Sequence, residues 1–271
     1  MNNIMNNIMN MSNPFSNLEL NKELIWITLI NQGYINFTKN FLISMKKENI
    51  VFKLIIFCID KESIDAFSEY DNCICLDANL FLKSNLVSNL TKWEELEYKK
   101  IVFAKLDAIL YTLENTKDLG IQNVGYIDTD IVLLSDPSII ILDEFNNNPN
   151  ILILSQCDEV GLCSNRFNCR NICSGVIVFR NIELLNKSMF DYTEQDINRF
   201  CSDQHYLCAK LKTLNITILT IDKMVFVNGT YSGIRGGIPT QLPPQASLVH
   251  FNYLIGLDKC EKMKCQNMWY L

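Results

Sequence analysis

Short apolar runs alternate with stretches of helical spacing along the first half of the chain. Helical spacing occurs over residues 34–47 and 93–113. The apolar runs, which predict buried strands, lie at residues 24–29, 53–59, 73–76 and 124–127. Because parallel strands are joined by helices and buried on both faces, this alternation predicts an α/β fold in which helices flank a mostly parallel sheet.

The pattern in the second half of the chain is less regular. It predicts helices over residues 193–211 and 259–271. The remaining predicted features are strands at residues 151–155, 175–179 and 248–251 and a Gly-rich loop at residues 229–237. Because no internal repeat or linker divides the chain, we expect one domain over residues 21–271. An Asn- and Met-rich tail, expected to be disordered, precedes it at residues 1–20.

Two carboxylates follow the predicted strand at residues 124–127. Asp128 and Asp130 form a D-x-D motif, and ligands of parallel sheets bind at the carboxyl ends of the strands. Two carboxylates at this spacing can share one cation, and hard oxygen ligands suit Mg²⁺ or Mn²⁺. The structural alternative is that they cap a turn. The apolar run that follows favours the cation site, because burying both carboxylates without a counterion is costly.

The stretch FAKLDAILYTLENTKDLGIQNVGYIDTDIVLL at residues 103–134 resembles the core signature of GT-A glycosyltransferases. The resemblance is strongest to the retaining, glycogenin- and galactosyltransferase-like class and extends to the wider group of nucleotide-diphospho-sugar transferases. It covers roughly residues 24–260. It implies a single Rossmann-like GT-A domain that moves a sugar from a nucleoside diphosphate sugar, with UDP as the expected nucleotide and retention as the expected outcome.

The resemblance also implies roles for individual residues. The implied ligands of Mn²⁺ or Mg²⁺ are Asp128, Asp130 and His250. The implied donor-binding residues are Thr28, Asn31, Lys105, Asp128, Thr129, Ser174, Gly175, Gly256 and Lys259. Asp203 and Gln204 match the pair that this family places beside the anomeric carbon. The family's late motif is H-x-x-G-x-x-K, whereas here Gly256 lies six positions after His250, so only the G-x-x-K half is intact.

Several of these residues have structural alternatives. His250 stands in the apolar run VHF and could be a core histidine, and Lys259 could be one of several solvated lysines. His205, which follows the Asp-Gln pair, is interpreted as structural or exposed. The Gly-rich loop at residues 229–237 fits a surface turn and an acceptor-binding lid equally well.

Composition and charge limit the classes of molecule that the protein can be expected to bind. The net charge is −6 and no basic patch is present, which argues against nucleic acid. The expected partners are the UDP-sugar donor and a glycan, protein or lipid acceptor; the oligomeric state is open. No apolar run reaches the ~18 residues of a membrane span. The N-terminus lacks an export signal, so we expect a cytoplasmic protein.

The 11 cysteines allow two interpretations. The first is that all are reduced, as is usual in the cytoplasm. The second is a zinc site formed by Cys157, Cys163, Cys169 and Cys173, although structural zinc sites usually have shorter spacings between paired ligands.

Two other functions fit the D-x-D motif. Residues 128–132, DTDIV, match the motif of haloacid-dehalogenase-type phosphohydrolases, in which Asp128 would be the nucleophile. Against this, a long α/β region precedes the motif, and no G-D-x-x-D follows it. The other alternative is a non-catalytic protein that binds a nucleotide sugar.

Overall fold

The computed structural model describes residues 13–82, 86–87, 95–161, 163, 165–167, 169 and 171–271. The strands are β1 (Ile25–Ile30), β2 (Leu54–Cys58), β3 (Cys73–Asp77), β4 (Asn123–Ile127), β5 (Ile131–Leu133), β6 (Ile153–Cys157), β7 (Ile172–Arg180), β8 (Ile218–Ile221), β9 (Phe226–Asn228) and β10 (Leu248–His250). The α-helices are α1 (Ile35–Lys47), α2 (Lys61–Phe67), α3 (Leu96–Thr116), α4 (Pro137–Asn147), α5 (Glu194–Arg199), α6 (Asp203–Thr213) and α7 (Gly256–Cys265).

Seven strands form a central sheet in the order β3-β2-β1-β4-β7-β6-β8. The pairs that β1 makes with β2 and β4 are parallel, as are β2 with β3 and β6 with β8. Only β7 runs against its neighbours β4 and β6 in this part of the structure. A smaller sheet has the order β5-β10-β9. The predicted α/β fold with a mostly parallel sheet flanked by helices is confirmed.

Alternate side chains of the strands supply two cores, one on each face of the sheet. In β1, Ile25 and Ile27 face the core that contains α3 and α6. Trp26 and Ile30 face the opposite core, to which α1, α2 and α4 contribute. A strand directs successive side chains to opposite faces, so a continuous apolar run is what a strand covered on both faces requires.

The helix predicted over residues 193–211 is interrupted in the structure. Helix α5 ends before Phe200, which is extended, and Ser202 is extended as well before α6 begins at Asp203. The helical spacing continues across this break, so the sequence pattern did not reveal it. The break places Asp203 and Gln204 in the first turn of a helix.

The C-terminal helix begins and ends earlier than the sequence predicts. It spans Gly256–Cys265, and Asn267 has a φ of 56°, which stops helical continuation. The last residues pack on α1 instead: Asn40 donates from Nδ2 to the Met268 carbonyl at 2.9 Å and accepts from the Tyr270 amide at 2.6 Å. Tertiary contacts therefore replace the last predicted turns.

Part of the segment predicted as an N-terminal tail packs against the domain. Residues 1–12 lie outside the described residues, as does the predicted helix start at residue 93. Phe15 is buried, with its ring centroid 6.4 Å from that of Phe57 and 6.1 Å from that of Tyr111. The packed part of the chain thus begins before residue 21, because an aromatic side chain in the Asn-rich stretch reaches the core.

None of the helices that the structure describes is both long enough and apolar enough to span a bilayer.

Candidate active site

Three strands end at the same side of the molecule and bring polar residues together. Asn31 follows β1, Asp128 follows β4, and His250 ends β10. They line a cavity of about 540 Å³, the larger of two pockets that stand out in the described part of the chain. Its position at the carboxyl ends of parallel strands is the expected ligand site of an α/β sheet.

The D-x-D carboxylates and His250 form one cluster. Nε2 of His250 lies 3.3 Å from Oδ1 of Asp130 and 3.8 Å from Oδ2 of Asp128. One ligand atom from each residue lies within 4.8 Å of the others. The small sheet brings these residues together, because β10 runs antiparallel to β5 and pairs His250 with Ile131, the residue after Asp130. The irregular sequence spacing therefore does not keep His250 from the motif.

The imidazole of His250 is oriented by a glutamine. Gln156 donates from Nε2 to the carbonyls of Phe226 and Val227, at 3.1 and 3.3 Å. These bonds place its Oε1 towards Nδ1 of His250, at 2.9 Å. Because a carboxamide oxygen only accepts, Nδ1 is assigned a proton, and Nε2 is the ring nitrogen that faces the two carboxylates.

Gly175 leaves space for this cluster. A Cβ at this position would lie 2.2 Å from Cε1 of His250 and 2.6 Å from Oδ2 of Asp128. Both distances are far below van der Waals contact, so no other residue fits without displacing a member of the cluster. The predicted Ser174-Gly175 pair therefore lines the site. Residue 175 is a glycine because any side chain there would collide with His250 and Asp128.

Two buried lysines flank the carboxylates. Nζ of Lys105 lies 2.8 Å from Oδ1 of Asp128, and Nζ of Lys259 donates to Oδ2 of Asp130. Burial raises the pKa of Asp130, but Lys259 and His250 together hold it well below its usual range. Burial lowers the pKa of Lys105, which Asp128 more than offsets. Lys259 is 6 % exposed, so it is not a solvated lysine of the C-terminal helix.

The ion pairs change the charge balance of the site. Two carboxylates and two ammonium groups compensate one another when the cavity holds no ligand. Burial lowers the pKa of the His250 imidazole, whereas Cys173 and Asp130 raise it, with a net upward result. The site is therefore prepared to exchange protons and internal ion pairs for a bound cation and an anionic ligand.

Asp203 and Gln204 lie at the N-terminus of α6 and line the same cavity. The carboxyl of Asp203 is 2 % exposed and interacts with Ser174. Burial raises its pKa, and the charge of Lys105 offsets part of this rise. A buried carboxyl with a raised pKa in a cleft is typical of functional sites.

Asp158 is a site residue that the sequence analysis missed. It follows β6 and is 1 % exposed. Its Oδ1 accepts from Asn228 and Asn252 at 3.2 and 3.1 Å, and its Oδ2 accepts from Gln204 at 2.9 Å and from the Tyr253 hydroxyl. Burial raises its pKa, and these donors lower it again in part. Its position after an apolar strand was a usable signal, the same one that identified Asp128.

The structure separates the other predicted donor-binding residues. Asn31 lines the cavity and donates from Nδ2 to the Val87 carbonyl at 3.1 Å. Thr129 also lines it, with its hydroxyl 3.1 Å from that of Thr38. Thr28 is buried within β1 beside Tyr126 and is not among the described residues that line the cavity. Thr28 lies one residue before the part of β1 that lines the cavity, which begins at Leu29.

The Gly-rich loop contributes to the rim of the cavity. Arg235 lines the cavity, and its guanidinium lies 5.5 Å from the ring centroid of Tyr253. The loop is anchored, since Gly229 donates to Oδ1 of Asn252 at 2.7 Å. His205 is exposed, as expected, and its Nδ1 lies 2.9 Å from the Ser202 hydroxyl. The anchored glycine fits a surface turn, and the position of Arg235 at the cavity fits an acceptor-binding lid.

The cysteines do not all remain free. Cys157 and Cys163 form a disulfide, so the expectation that all cysteines are reduced is wrong for this pair. Cys169 lies beside them, whereas Cys173 lies 3.5 Å from Nδ1 of His250. The four-cysteine zinc site is therefore also wrong, because β7 carries Cys173 to the active site and away from the other three.

The donor set of Asp128, Asp130 and His250 fits a divalent metal ion. Two carboxylate oxygens and one imidazole nitrogen suit Mn²⁺ or Mg²⁺ with further oxygens from a ligand. The steric cradle at Gly175 keeps the space beside these atoms open.

Several solved glycosyltransferase structures have a fold similar to that of this chain. The chain resembles WbbM, a bifunctional glycosyltransferase (TM-score 0.55, 11 % identity, 89 % of this chain and 47 % of that one). It resembles the glycosyltransferase GlyE of Streptococcus pneumoniae (TM-score 0.53, 14 % identity, 91 % of this chain and 60 % of that one). It also resembles the galactosyltransferase LgtC (TM-score 0.51, 9 % identity, 91 % of this chain and 96 % of that one).

At such identities the likeness is one of fold, and the chain spans only about half of WbbM. No curated protein matches the sequence. The model of the nucleotide-diphospho-sugar transferase family, however, matches residues 49–265, which is most of the chain. The chain therefore belongs to the nucleotide-diphospho-sugar transferase family and is a glycosyltransferase of the GT-A fold.

Proposed function

We propose that this glycosyltransferase moves a sugar from a UDP-sugar to an acceptor hydroxyl, depends on a divalent metal ion, and retains the configuration of the anomeric carbon. The observation that carries the proposal is the cluster of Asp128, Asp130 and His250, flanked by Lys105 and Lys259 in one cavity. The three residues offer oxygen and nitrogen ligands for a metal ion. The two lysines beside them offer positive charge for the diphosphate.

Asp128, Asp130 and Nε2 of His250 would hold Mn²⁺ or Mg²⁺. A metal ion bound there neutralises the charge that develops on the departing diphosphate. Gln156 keeps the histidine in the tautomer that metal binding requires, since its Oε1 occupies the N–H at Nδ1.

The N-terminus of α7 and Lys259 would bind the diphosphate. Gly256 opens this helix and Lys259 lies in its first turn, and both line the cavity. Free backbone N–H groups and the helix dipole favour anions at such a terminus. With a diphosphate in the cavity, the ammonium of Lys259 would be free to shift from Asp130 to a phosphate oxygen, and Asp130 would then be available to hold the metal ion.

Asn31, Lys105 and Thr129 complete the donor site in the proposal. Asn31 lies where β1 ends and would contact the nucleotide. Lys105 would approach the sugar or the phosphates from α3, and Thr129 lies between the two metal-binding carboxylates. UDP and its sugar are assigned by resemblance, and one neighbour, LgtC, is described in complex with donor and acceptor sugar analogues.

Retention is supported by the groups that surround the expected position of the sugar. Gln204 donates from Nε2 to Asp158, so its Oε1 is directed away from that carboxylate and can face a developing positive charge. Asp203 and Ser174 lie beside it. In the proposed reaction the acceptor hydroxyl attacks from the face that the diphosphate leaves, and these oxygens stabilise the oxocarbenium-like centre.

Family membership removes the phosphohydrolase alternative, in which Asp128 would be a nucleophile. Asp128 contacts Lys105 and His250, and these contacts support the role of a metal ligand for this carboxylate. The proposal also includes the two expectations from the sequence, a cytoplasmic location and an acceptor that is a glycan, protein or lipid.

The direct test is a screen of nucleotide sugars for hydrolysis with Mn²⁺, with released UDP as the readout. We expect slow hydrolysis of one UDP-sugar, loss of activity on chelation, and a sugar product that first appears with the donor's anomeric configuration by NMR. Binding of UDP without sugar release from any donor would instead identify a non-catalytic binder. First appearance of the opposite anomer would contradict retention alone.

A further inference from the structure

A second group of metal-binding side chains lies outside the active site. The sulfurs of Cys157 and Cys163 lie 3.6 and 3.4 Å from Sγ of Cys169, and Oε1 of Glu159 lies 3.5 Å from the same sulfur. The three cysteines are close enough for one ion to bind all of them. They lie where β6 ends and in the chain that leads to β7.

We propose that Cys157, Cys163 and Cys169, with Glu159 as the fourth donor, bind Zn²⁺ when the Cys157–Cys163 disulfide is reduced. In a tetrahedral site with Zn–S distances of about 2.3 Å, ligand sulfurs lie roughly 3.8 Å apart. The two distances to Cys169 are already within a few tenths of an ångström of this value. Only the bonded pair must separate.

The change of state balances chemically. A dithiol reductant gives two electrons and two protons to the Cys157–Cys163 bond and becomes a disulfide itself. Two thiols result, and three thiol protons leave to solvent when Zn²⁺ binds the thiolates. A cytoplasmic location, as the sequence predicts, would supply the reductant that converts the disulfide of the structure into the zinc-binding thiols.

A buried cation compensates the charge of the proposed site. Three thiolates and one carboxylate around Zn²⁺ carry two net negative charges. Lys223 is 1 % exposed, and its Nζ bonds to the carbonyls of Glu159 and Gly161 and to the Thr230 hydroxyl. Its charge interacts with Cys169 and Glu159. The cation thus anchors the same loop and offsets part of the charge.

The site is connected to the active-site wall through adjacent residues. Asp158 follows Cys157, its amide donates to the Asn171 carbonyl at 2.8 Å, and Asn171 returns a bond from Nδ2 at 3.0 Å. Both residues line the catalytic cavity. Zinc bound to Cys157 and Cys169 would therefore hold Asp158 and Asn171, which lie close to these ligands in the chain, in place at the cavity wall. This effect does not depend on whether the D-x-D site binds its own metal.

Cobalt(II) absorption tests the proposal on the full-length, metal-free protein. Thiolate ligands give a near-ultraviolet sulfur-to-cobalt charge-transfer band, which the sulfur-free D-x-D cluster cannot give. We expect the band to saturate at one Co²⁺ per chain after reduction with a phosphine, to disappear on addition of Zn²⁺, and to be absent while the disulfide is intact. Asp130→Ala should leave it unchanged, which separates this site from the proposed function.

Variants assign the ligands. Cys163→Ser and Cys169→Ser should lose the band, and Glu159→Gln should keep it with weaker cobalt affinity. Cys75→Ser and Cys265→Ser are the matched controls, because they remove thiols from β3 and from α7 and should keep the band. Circular dichroism verifies folding of each variant. Reduced wild-type protein without the band, or a band that survives in Cys163→Ser and Cys169→Ser, would overturn the proposal.

Discussion

Oε1 of Gln156 accepts a hydrogen bond from Nδ1 of His250 at 2.9 Å, and this bond decides which imidazole nitrogen faces the D-x-D carboxylates. The glutamine cannot rotate freely, because its amide donates to two carbonyls of β9. A buried side chain of the large sheet therefore controls which ring nitrogen of a residue from the small sheet faces Asp128 and Asp130.

Gln156→Leu should weaken Mn²⁺ binding by about 10- to 100-fold, the usual cost of losing the partner that orients a metal-binding histidine. Without Oε1 the proton can occupy Nε2, and the ring can turn. Calorimetric titration of Mn²⁺ measures the effect. Ser155→Ala is the matched control, since it removes hydroxyl bonds to the Gln156 and Cys173 carbonyls but leaves the Gln156 side chain in place. Equal affinities for wild type and Gln156→Leu would refute the assigned role.

Asp130→Ala should abolish metal-dependent turnover, because it removes one ligand and the partner of Lys259. It also leaves a buried lysine unpaired, which typically costs about 3–5 kcal/mol of stability. Asp130→Asn is therefore measured beside it, since the amide preserves volume and loses only the charge. The control is Asp143→Ala on the exposed side of α4. A wild-type rate in Asp130→Asn would sink the metal assignment.

Lys259→Ala should lower kcat by roughly 10²- to 10³-fold, about 3–4 kcal/mol, as loss of one preorganised group that stabilises developing charge does in other enzymes. Steady-state kinetics on the donor that the screen identifies measure it. Lys264→Ala, on the same helix but exposed and paired with Glu261, should leave kcat unchanged. Similar losses in both variants would show that α7, rather than the Lys259 ammonium, was disturbed.

Much of this fold and site could be predicted from the sequence because local patterns carry them. The apolar runs that lead to Asn31 and to Asp128 are visible in the chain as printed, whereas Lys105 was identified through the resemblance of the stretch at residues 103–134. Resemblance then identified Lys259 and the Asp203-Gln204 pair, which line the cavity with the D-x-D motif.

What could not be predicted depends on contacts between distant residues. The pairing of β5 with β10 brings His250 to Asp130 despite its unusual distance from Gly256. Asp158 has four donors from three separate segments, and none of these can be read from its neighbours in sequence. The break before α6 and the packing of residues 268–270 on α1 are likewise tertiary effects that override helical spacing.

Asp203→Asn should stabilise the protein at neutral pH while it lowers turnover. Burial raises the folded-state pKa of Asp203, so its ionised form opposes folding. Stability gained from the neutral carboxyl is fully present below the unfolded-state pKa and is lost as pH rises through the raised folded-state pKa. Each pKa unit of difference is worth about 1.4 kcal/mol.

The advantage of Asp203→Asn over wild type should therefore be largest near pH 7–8 and shrink as the solution is acidified. Thermal unfolding at several pH values measures this difference, with Asp143→Asn as the exposed control. A variant that is less stable than wild type at neutral pH would show that the charge of Asp203 is compensated, chiefly by Lys105, more fully than its burial suggests.

Gly175→Ala should disable the metal site with the smallest possible change. The added methyl would lie 2.2 Å from Cε1 of His250, so either the imidazole or β7 must move. Overpacking of this kind typically costs about 1–3 kcal/mol. We expect lower stability, weaker Mn²⁺ binding in calorimetry and loss of donor hydrolysis.

A double-mutant cycle separates this contact from a general effect on the strand. In a His250→Ala background the methyl group gains the space that the ring vacates, so the stability cost of Gly175→Ala should fall markedly. If the cost is the same in both backgrounds, the methyl acts through the strand or through Asp128, whose Oδ2 lies 2.6 Å from the added Cβ, and not through the imidazole. If it falls, the absence of a side chain at residue 175 is what lets His250 and Asp128 approach within 3.8 Å of each other.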